Sequence, residues 1–329
     1  MVRPLTDSYE RIHTYLRVSV TDRCNYRCAY CMPEDGYDWM PKADLLSFEE
    51  IARVVSVFVS MGVRSVRLTG GEPTIRKDIV QLVSRLANID GLEDLAMTTN
   101  ASRLSRLAKP LADAGLQRIN VSLDSLDPIR FAALTRGGRV EDVLEGIIAA
   151  REAGLGPIKI NAVMLNGINE QDAVLMTEAL SRHAQDTVLR FIEYMPFEAR
   201  GYHSVSAEQI RELLREKYTL KPVETGHVGR GPARRWKVVE TGLELGFIAP
   251  LSQRFCGDCN RLRLMADGHL RTCLAHEDTP SLLQLIREGA SDRVLQRAIR
   301  LMVLGKPEGH FCEIDGGEVF EGVMTSVGG

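Results

Sequence analysis

The chain alternates short β-branched segments with amphipathic helical segments from about residue 15 to residue 195, and this alternation constrains its fold most. Several of the strand segments are apolar almost throughout, as strands covered on both faces tend to be. Ser47 and Glu50 form a capping-box signature, and residues 141–152 and 170–184 have apolar residues at helical spacing. The pattern predicts a parallel sheet with right-handed crossovers. The six predicted strands are residues 15–21, 63–68, 95–99, 118–123, 158–165 and 188–194.

Six β–α units are too few to close an eight-stranded barrel. We therefore predict an α/β fold with a partial (β/α)6 TIM-like barrel over residues 1–218, and a doubly wound sheet is the alternative. Residues 219–329 are predicted to form a smaller C-terminal α+β region. Its predicted strands cover residues 235–239, 243–248, 261–264 and 269–274, and the helices around it cover residues 206–218, 281–287 and 292–304.

Composition excludes several classes of function. A net charge of −3 gives no overall electrostatic basis for nucleic-acid binding, although a local basic pocket for a phosphorylated small molecule is compatible with it. No apolar run approaches the roughly 18 residues that a membrane helix needs. The first residues lack the apolar run of a secretory signal, which predicts a cytoplasmic protein.

Cys24, Cys28 and Cys31, the first trio, follow the first predicted strand in the spacing C-x3-C-x2-C. Clustered cysteines in a chain without an export signal indicate metal binding or catalysis. Three thiolates leave one iron of a four-iron cluster without a protein ligand, and that iron is then a site for chemistry. A structural zinc site is the alternative, but it needs a fourth ligand, and no Cys or His follows within the loop.

The first trio, with Tyr30 just before its last cysteine, resembles the signature of radical S-adenosylmethionine enzymes. The resemblance implies a [4Fe–4S] cluster that binds S-adenosylmethionine and cleaves it reductively to a 5′-deoxyadenosyl radical. It also implies that Tyr30 lies beside the adenine and that the Gly70–Pro73 loop binds the methionine amino group, although a Gly-Gly pair alone is more often a simple turn. The loop, Asn100 and Asp124 end successive predicted strands, where active sites of β/α barrels form.

Cys256, Cys259 and Cys273, the second trio, have the spacing C-x2-C-x13-C. A two-residue hairpin turn at Asp267-Gly268 would pair Cys273 with Leu262, three residues from Cys259. His276 extends the pattern to a spacing close to that of zinc ribbons, so this segment alone favours structural zinc.

The whole chain resembles the GTP 3′,8-cyclase family of molybdenum-cofactor biosynthesis. The resemblance rests on both trios in order, on Thr69–Pro73, on residues 118–124 and 190–195, on the Asn-Arg-x-Arg that follows Cys259 and on the final Gly328-Gly329. It implies a second [4Fe–4S] cluster on the second trio, which would contact the guanine of GTP and leave His276 a bystander. The implied reaction removes hydrogen from C3′ of GTP, and the carbon radical closes onto C8.

The same resemblance assigns roles to individual residues. Positions that match substrate contacts are Arg17, Arg67, Thr98, Lys159, Arg261, Leu262 and Arg263, and those that match cofactor contacts are Tyr30, Gly71, Ser122 and Met195. The residues expected to matter most for catalysis are Arg17, Arg261, Arg263, Gly328 and Gly329. Without the resemblance, the arginines would be surface ion pairs, Met195 a core residue, Ser122 a strand-end hydroxyl and the double glycine a frayed terminus.

Residues 309–322 match no pattern of the family, and Cys312 within them is most simply a small buried hydrophobe. The resemblance further implies a homodimer, an electron donor, and transfer of the product to cyclic pyranopterin monophosphate synthase. Two alternatives remain open at this point. One is another two-cluster radical enzyme that acts on a peptide or an RNA, and the other is a non-enzymatic protein with two zinc sites.

Overall fold

The computed structural model describes residues 4–35, 37–183, 185–197, 201–223, 231–276 and 280–310. All six strands predicted for the barrel are present, with ends within two residues of the predicted ones. They pair in parallel and in chain order, so the partial barrel is confirmed. The doubly wound alternative is wrong, because its strand order would reverse beside the first strand. The strands are β1 (Tyr15–Ser19), β2 (Ser65–Thr69), β3 (Asp94–Thr99), β4 (Arg118–Ser122), β5 (Ile158–Met164) and β6 (Thr187–Glu193).

Helices connect these strands and cover the outer face of the sheet. The predicted capping box is present at the start of the first helix: Ser47 Oγ accepts from Glu50 N at 3.1 Å, and Glu50 Oε2 accepts from Ser47 N at 2.7 Å. In the described residues, no helix is long and apolar enough to cross a membrane. The helices are α1 (Phe48–Ser60), α2 (Ile79–Ala87), α3 (Leu104–Asp113), α4 (Pro128–Thr135), α5 (Val140–Glu152), α6 (Asp172–Leu180), α7 (Ala207–Arg215), α8 (Leu282–Arg287) and α9 (Asp292–Leu304).

The strands that follow α7 extend both edges of the same sheet. β9 (Glu244–Ile248) pairs in parallel with β6, and β10 (Arg261–Leu264) pairs in parallel with β1. Antiparallel β8 (Arg234–Val238) and β7 (Leu220–Pro222) continue beyond β9, and β11 (Leu270–Arg271) continues beyond β10. The chain after residue 218 therefore flanks the six central strands on both sides. The domain boundary at that residue stays a prediction.

The hairpin between β10 and β11 differs from the prediction by one residue. Leu264 pairs with Leu270, and Met265 N donates to His269 O at 2.8 Å, so the loop has three residues. Gly268 closes this loop with a φ of +84°, a conformation that glycine adopts without steric cost. Extended past β11, the observed register places Cys273 across from Arg261 and not Leu262. Cys273 thus belongs to the same face of the hairpin as Arg261 and Arg263.

The strands are not apolar on both faces, contrary to the prediction. β5 shows the pattern: Ile158, Ile160 and Ala162 are buried in the core beneath the helices, while Lys159 and Asn161 line a cavity on the inner face. The other central strands likewise direct alternate residues to each face. Helix packing covers only the outer face, so the inner face is free to carry polar groups.

Glu193, at the end of β6, joins the C-terminal strands to the central sheet. Its buried carboxylate accepts hydrogen bonds from Ala207 N at 2.9 Å, Leu251 N at 3.1 Å and Ser252 N at 3.0 Å. The first of these donors starts α7, and the other two lie in the loop after β9. One side chain therefore satisfies three backbone N–H groups that would otherwise lack acceptors.

Replacement of Glu193 by glutamine should lower the free energy of unfolding by about 1–3 kcal/mol, because an amide cannot accept from all these buried donors. We expect a lower Tm for Glu193→Gln in calorimetry on anaerobic protein. Glu212→Gln, on the exposed side of α7, is the matched control and should leave the Tm unchanged. An unchanged Tm in Glu193→Gln would show that this junction does not depend on the carboxylate.

Candidate functional site

A cavity of about 790 Å³ runs along the inner face of the sheet. Cys24, Cys28 and Cys31 line it at the carboxyl ends of the strands, and Asp94 and Arg118 line it toward the amino ends. The carboxyl ends of parallel strands are where β/α barrels place their chemistry. The position of the first trio therefore agrees with the sequence prediction.

The first trio occupies a compact loop after β1. Cys31 N and Met32 N both donate to Cys28 O, at 2.9 and 3.0 Å. The Cys24 sulfur accepts from Tyr26 N at 3.3 Å and from Asn100 Nδ2 at 3.9 Å. Burial raises the pKa of Cys24 to about 11 and that of Cys28 well above its usual value, so thiolates here need a cation to stabilise them. Three thiols on one loop, with two hydrogen-bond donors aimed at the sulfur of Cys24, fit iron–sulfur ligation.

The Gly70–Pro73 loop packs directly against the loop of the first trio. Gly71 N donates to Thr21 O at 2.7 Å, and Glu72 N donates to Arg23 O at 2.8 Å. A Cβ on Gly71 would lie 2.2 Å from Arg23 O, so only glycine permits this approach. Gly71 also lines the cavity. The close backbone contact expected with a ligand is thus also a contact with the neighbouring loop of the chain itself.

Two buried carboxylates tie the strand-end loops together. Glu72 accepts from Thr99 Oγ1 at 2.6 Å and from Asn100 N at 2.7 Å, and burial raises its pKa despite these hydrogen bonds. Asp124 accepts from the Tyr30 hydroxyl at 2.7 Å and from Val163 N at 2.8 Å, and burial raises its pKa to about 6. The Tyr30 ring beside the first trio is therefore held in one orientation.

Cationic side chains line the inner wall of the cavity. The strand register places Arg17 beside Arg67 on one side and beside Arg263 on the other, so three guanidinium groups start from one row across three strands. Such a row suits a polyanion such as a triphosphate. The cationic residues along the cavity are Arg17, Arg67, Arg118, Lys159, Arg190, Arg235, Arg261 and Arg263.

Crowding and burial weaken the charges in this wall. Burial, and next the charges of Arg190 and Arg118, lower the pKa of Lys159 to about 7. Burial and Arg67 lower the pKa of Arg190 to about 10, and burial with Arg17 lowers that of Arg263 well below its usual value. Within the described ranges, neither Lys159 nor Arg190 forms an ion pair with a carboxylate. A bound anion would relieve this repulsion.

Several cavity residues escaped the sequence prediction. Arg118, Asn120, Asn161 and Arg190 line the cavity, and the signal that could have found them is a polar residue at every second strand position. Asn120 Oδ1, Asn161 Oδ1 and Arg190 Nε are buried without a hydrogen-bond partner in the described part of the chain. Buried polar atoms in native proteins are normally paired, so these atoms fit a polar ligand.

The predicted substrate and cofactor residues are mostly together in this cavity. Thr98, Ser122 and Met195 line it, and Met195 also packs against Phe197. Leu262 differs: its side chain is fully buried in the core, because it alternates with Arg261 and Arg263 along β10. Any contact from Leu262 to a substrate would come from its backbone. The predicted roles of Gly328, Gly329 and Cys312 lie outside the described residues.

The second trio lies beside Arg261, and its chain neighbours Phe255 and Leu274 line the cavity, whereas its three cysteines do not. Cys259 N donates to Cys256 O at 3.2 Å, and Arg261 Nη2 lies 3.7 Å from Cys259 Sγ. Burial raises the pKa of Cys259, but Arg261 and Lys306 outweigh it and bring it to about 7. These cations stabilise sulfur anions, as cluster ligation requires. No signal in the sequence singled out Lys306.

His276, the fourth ligand that a zinc site on the second trio would need, is not grouped with these cysteines in the described part of the chain. His276 is exposed, and its Nε2 lies 3.1 Å from Gly309 O, so it hydrogen-bonds to the backbone. Among the residues that the structure describes, no three Cys, His, Asp or Glu side chains are grouped closely enough to hold one metal ion.

Comparison with known proteins agrees with this geometry. Residues 18–180 match the family model described as Radical SAM superfamily, and residues 187–312 match Molybdenum Cofactor Synthesis C. GTP 3′,8-cyclase of Pseudomonas entomophila is 45% identical over 96% of this chain and 95% of its own length. The enzyme of the same name from Rhodopseudomonas palustris strain TIE-1 is 47% identical over 95% of this chain and 91% of its own.

A solved structure is similar in fold. Streptococcus suis SuiB bound to S-adenosylmethionine superimposes with a TM-score of 0.59 at 17% identity, over 86% of this chain and 68% of SuiB. Membership of the radical S-adenosylmethionine superfamily implies a [4Fe–4S] cluster and S-adenosylmethionine as cofactors. Sequence identity over nearly the whole chain, both family matches and the cavity with its first trio lead to one assignment: the chain belongs to the GTP 3′,8-cyclase family of the radical S-adenosylmethionine superfamily.

Proposed function

We propose that the protein cyclises GTP, joining C3′ of the ribose to C8 of the guanine, to yield (8S)-3′,8-cyclo-7,8-dihydroguanosine 5′-triphosphate. This is the first step of molybdenum-cofactor biosynthesis. The observation that carries the proposal is a single cavity that contains the first trio at one end and a row of arginines on its wall. Relatives named GTP 3′,8-cyclase that share nearly the whole length support the same substrate.

The first trio would hold the [4Fe–4S] cluster, and with S-adenosylmethionine it would supply the one-electron chemistry that yields a 5′-deoxyadenosyl radical. The chain contributes binding and orientation. Asp124 orients Tyr30, which would lie beside the adenine. Gly71, Ser122 and Met195 would complete the cofactor pocket, since all three line the cavity that the first trio also lines.

The cationic wall would bind the triphosphate. Arg17, Arg67 and Arg263 lie in one row, and Lys159 lines the same cavity, where a bound triphosphate would favour its charged form. Arg261 lies between this wall and the Cys259 sulfur. Such an arrangement would hold the phosphates along the wall and direct the guanine toward the second trio. The ribose would then be fixed between these two ends of GTP. Orientation of this kind, in a site that limits water, is what a radical reaction needs from the protein.

The second trio would hold a second [4Fe–4S] cluster. Arg261 and Lys306 beside Cys259 support it, because cations next to ligand sulfurs stabilise an anionic cluster. The electron donor, the homodimer, the cytoplasmic location, transfer of the product to cyclic pyranopterin monophosphate synthase and the role of the terminal Gly328 and Gly329 are proposed from the family resemblance.

The function is tested with anaerobically reconstituted protein, dithionite and S-adenosylmethionine. We expect 5′-deoxyadenosine and a cyclised guanosine triphosphate with GTP, and little of either with ATP or CTP. Arg263→Met should abolish the cyclised product and the increase in 5′-deoxyadenosine that GTP causes. Equal amounts of 5′-deoxyadenosine with every nucleotide would contradict the GTP assignment and favour a peptide or RNA substrate. Protein that contains zinc and no acid-labile sulfide would contradict the radical chemistry altogether.

GTP binding should be coupled to proton uptake by Lys159. Its pKa of about 7 in the free protein leaves the amine largely neutral at pH 8, and a bound triphosphate would restore the proton. Calorimetry without reductant, in buffers of different ionisation enthalpy, should give an uptake of about one proton at pH 8 and close to none at pH 5.5. Lys159→Arg should remove the uptake, whereas Lys217→Arg on the surface should retain it. Equal uptake in Lys159→Arg would assign the proton to another group.

Substitution of Gly71 by alanine should deplete the first trio of iron. The added Cβ would lie 2.2 Å from Arg23 O and would displace the loop that carries Cys24. Iron analysis of Gly71→Ala should show loss of about one four-iron cluster per chain. Gly305→Ala is the control, because its Cβ would meet the nearest atom at an ordinary 3.5 Å. Full iron content in Gly71→Ala would mean that the two loops need not touch.

A further inference from the structure

A buried lysine lies beside the second trio. Lys306 follows the end of α9 and is only 3% exposed. Its Nζ donates to Arg261 O at 2.8 Å and to Thr272 O at 2.5 Å, and it lies 3.6 Å from Cys259 Sγ. An ammonium group has three donors, and here each has an acceptor. The acceptors belong to the two chain segments that carry Cys259 and Cys273, so one side chain joins both.

The backbone around Lys306 is held in place by Arg11. Lys306 N donates to Val303 O at 3.0 Å, which fixes the residue to the end of α9. Arg11 donates to Pro307 O and Glu308 O, both at 2.7 Å, and to Cys256 O at 2.9 Å. Asp7 accepts from Arg11 Nε at 2.7 Å and keeps the guanidinium in position. The hydrogen bond from Arg11 to Cys256 O therefore connects the backbone around Lys306 to Cys256, the remaining cysteine of the second trio.

The charge of Lys306 has no carboxylate partner in the described part of the chain. Burial of an ammonium group is costly unless a negative charge or several acceptors compensate it. Backbone carbonyls satisfy two of its donors, and the remaining compensation comes from the sulfur of Cys259. A positive group that donates to a ligand sulfur favours the reduced, more negative form of an iron–sulfur cluster and so raises its reduction potential.

We propose that Lys306 is a positioning residue for the second trio. It holds the segments of these cysteines together and raises the reduction potential of the cluster that they hold. The inference rests on the second cluster of the proposed function. Because Lys306 acts through Cys259 and the backbone, it touches neither the substrate nor the reacting atoms.

The test uses the full chain with Cys24, Cys28 and Cys31 all replaced by alanine, so that all iron belongs to the second trio. In this background Lys306→Met removes charge and donor, and Lys306→Gln removes only the charge. Lys217→Met, on the surface after α7, is the control. The midpoint potential is measured by a redox titration followed by electron paramagnetic resonance. We expect a lower potential in Lys306→Gln, a still lower one in Lys306→Met, and the parent value in the control.

An unchanged or raised potential in both Lys306 variants would overturn the inference. If a variant loses its iron, the same substitution is made in the chain with both trios intact. Iron lost from the second trio alone would support the positioning role, whereas iron lost from both would show a general folding defect and overturn it. A parent chain that binds no iron at the second trio would instead refute the second cluster of the proposed function.

Discussion

The alternation of side chains along the central strands is the constraint on which the rest of the structure depends. Ile158, Ile160 and Ala162 in β5 pack under the helices, and Lys159 and Asn161 between them face the cavity. The outer face supplies the hydrophobic stabilisation of the fold. Since the inner face is not needed for that packing, it can carry groups that would be costly in a core, and the barrel interior becomes a binding site.

Electrostatics determines what this interior can hold. Positive charges from β1, β2, β5, β6 and β10 converge on one cavity, where burial lowers the pKa of Lys159 and Arg190. Repulsion between buried cations is a cost to the free protein, and a polyanionic ligand would relieve it. The same principle applies at the second trio, where Arg261 and Lys306 favour sulfur anions. Arg261 belongs to both groups of cations, because it lines the cavity and also lies beside the Cys259 sulfur.

Loop packing, in turn, brings the first trio to the cavity. The Cys24 loop rests against Gly70 and Gly71, and Glu72 links that contact to the loop after β3. These contacts are between residues distant in sequence, and each depends on a glycine or a buried carboxylate at the end of a strand. The strand order β1, β2, β3 makes them neighbours, which explains how a parallel sheet assembles one site from several loops.

The sequence by itself determined the six central strands, both cysteine trios and the residues at the strand ends, because hydrophobic periodicity and cysteine spacing are local properties. It could not decide the hairpin register, because a two-residue and a three-residue turn at Asp267-Gly268 are equally compatible with the local pattern, and it could not show that Leu262 lies in the core. Only the tertiary structure placed the C-terminal strands at both edges of the sheet, Lys306 against Cys259 and the arginines in one row. These features arise from pairing between distant segments, and such pairing depends on the packing of the whole chain.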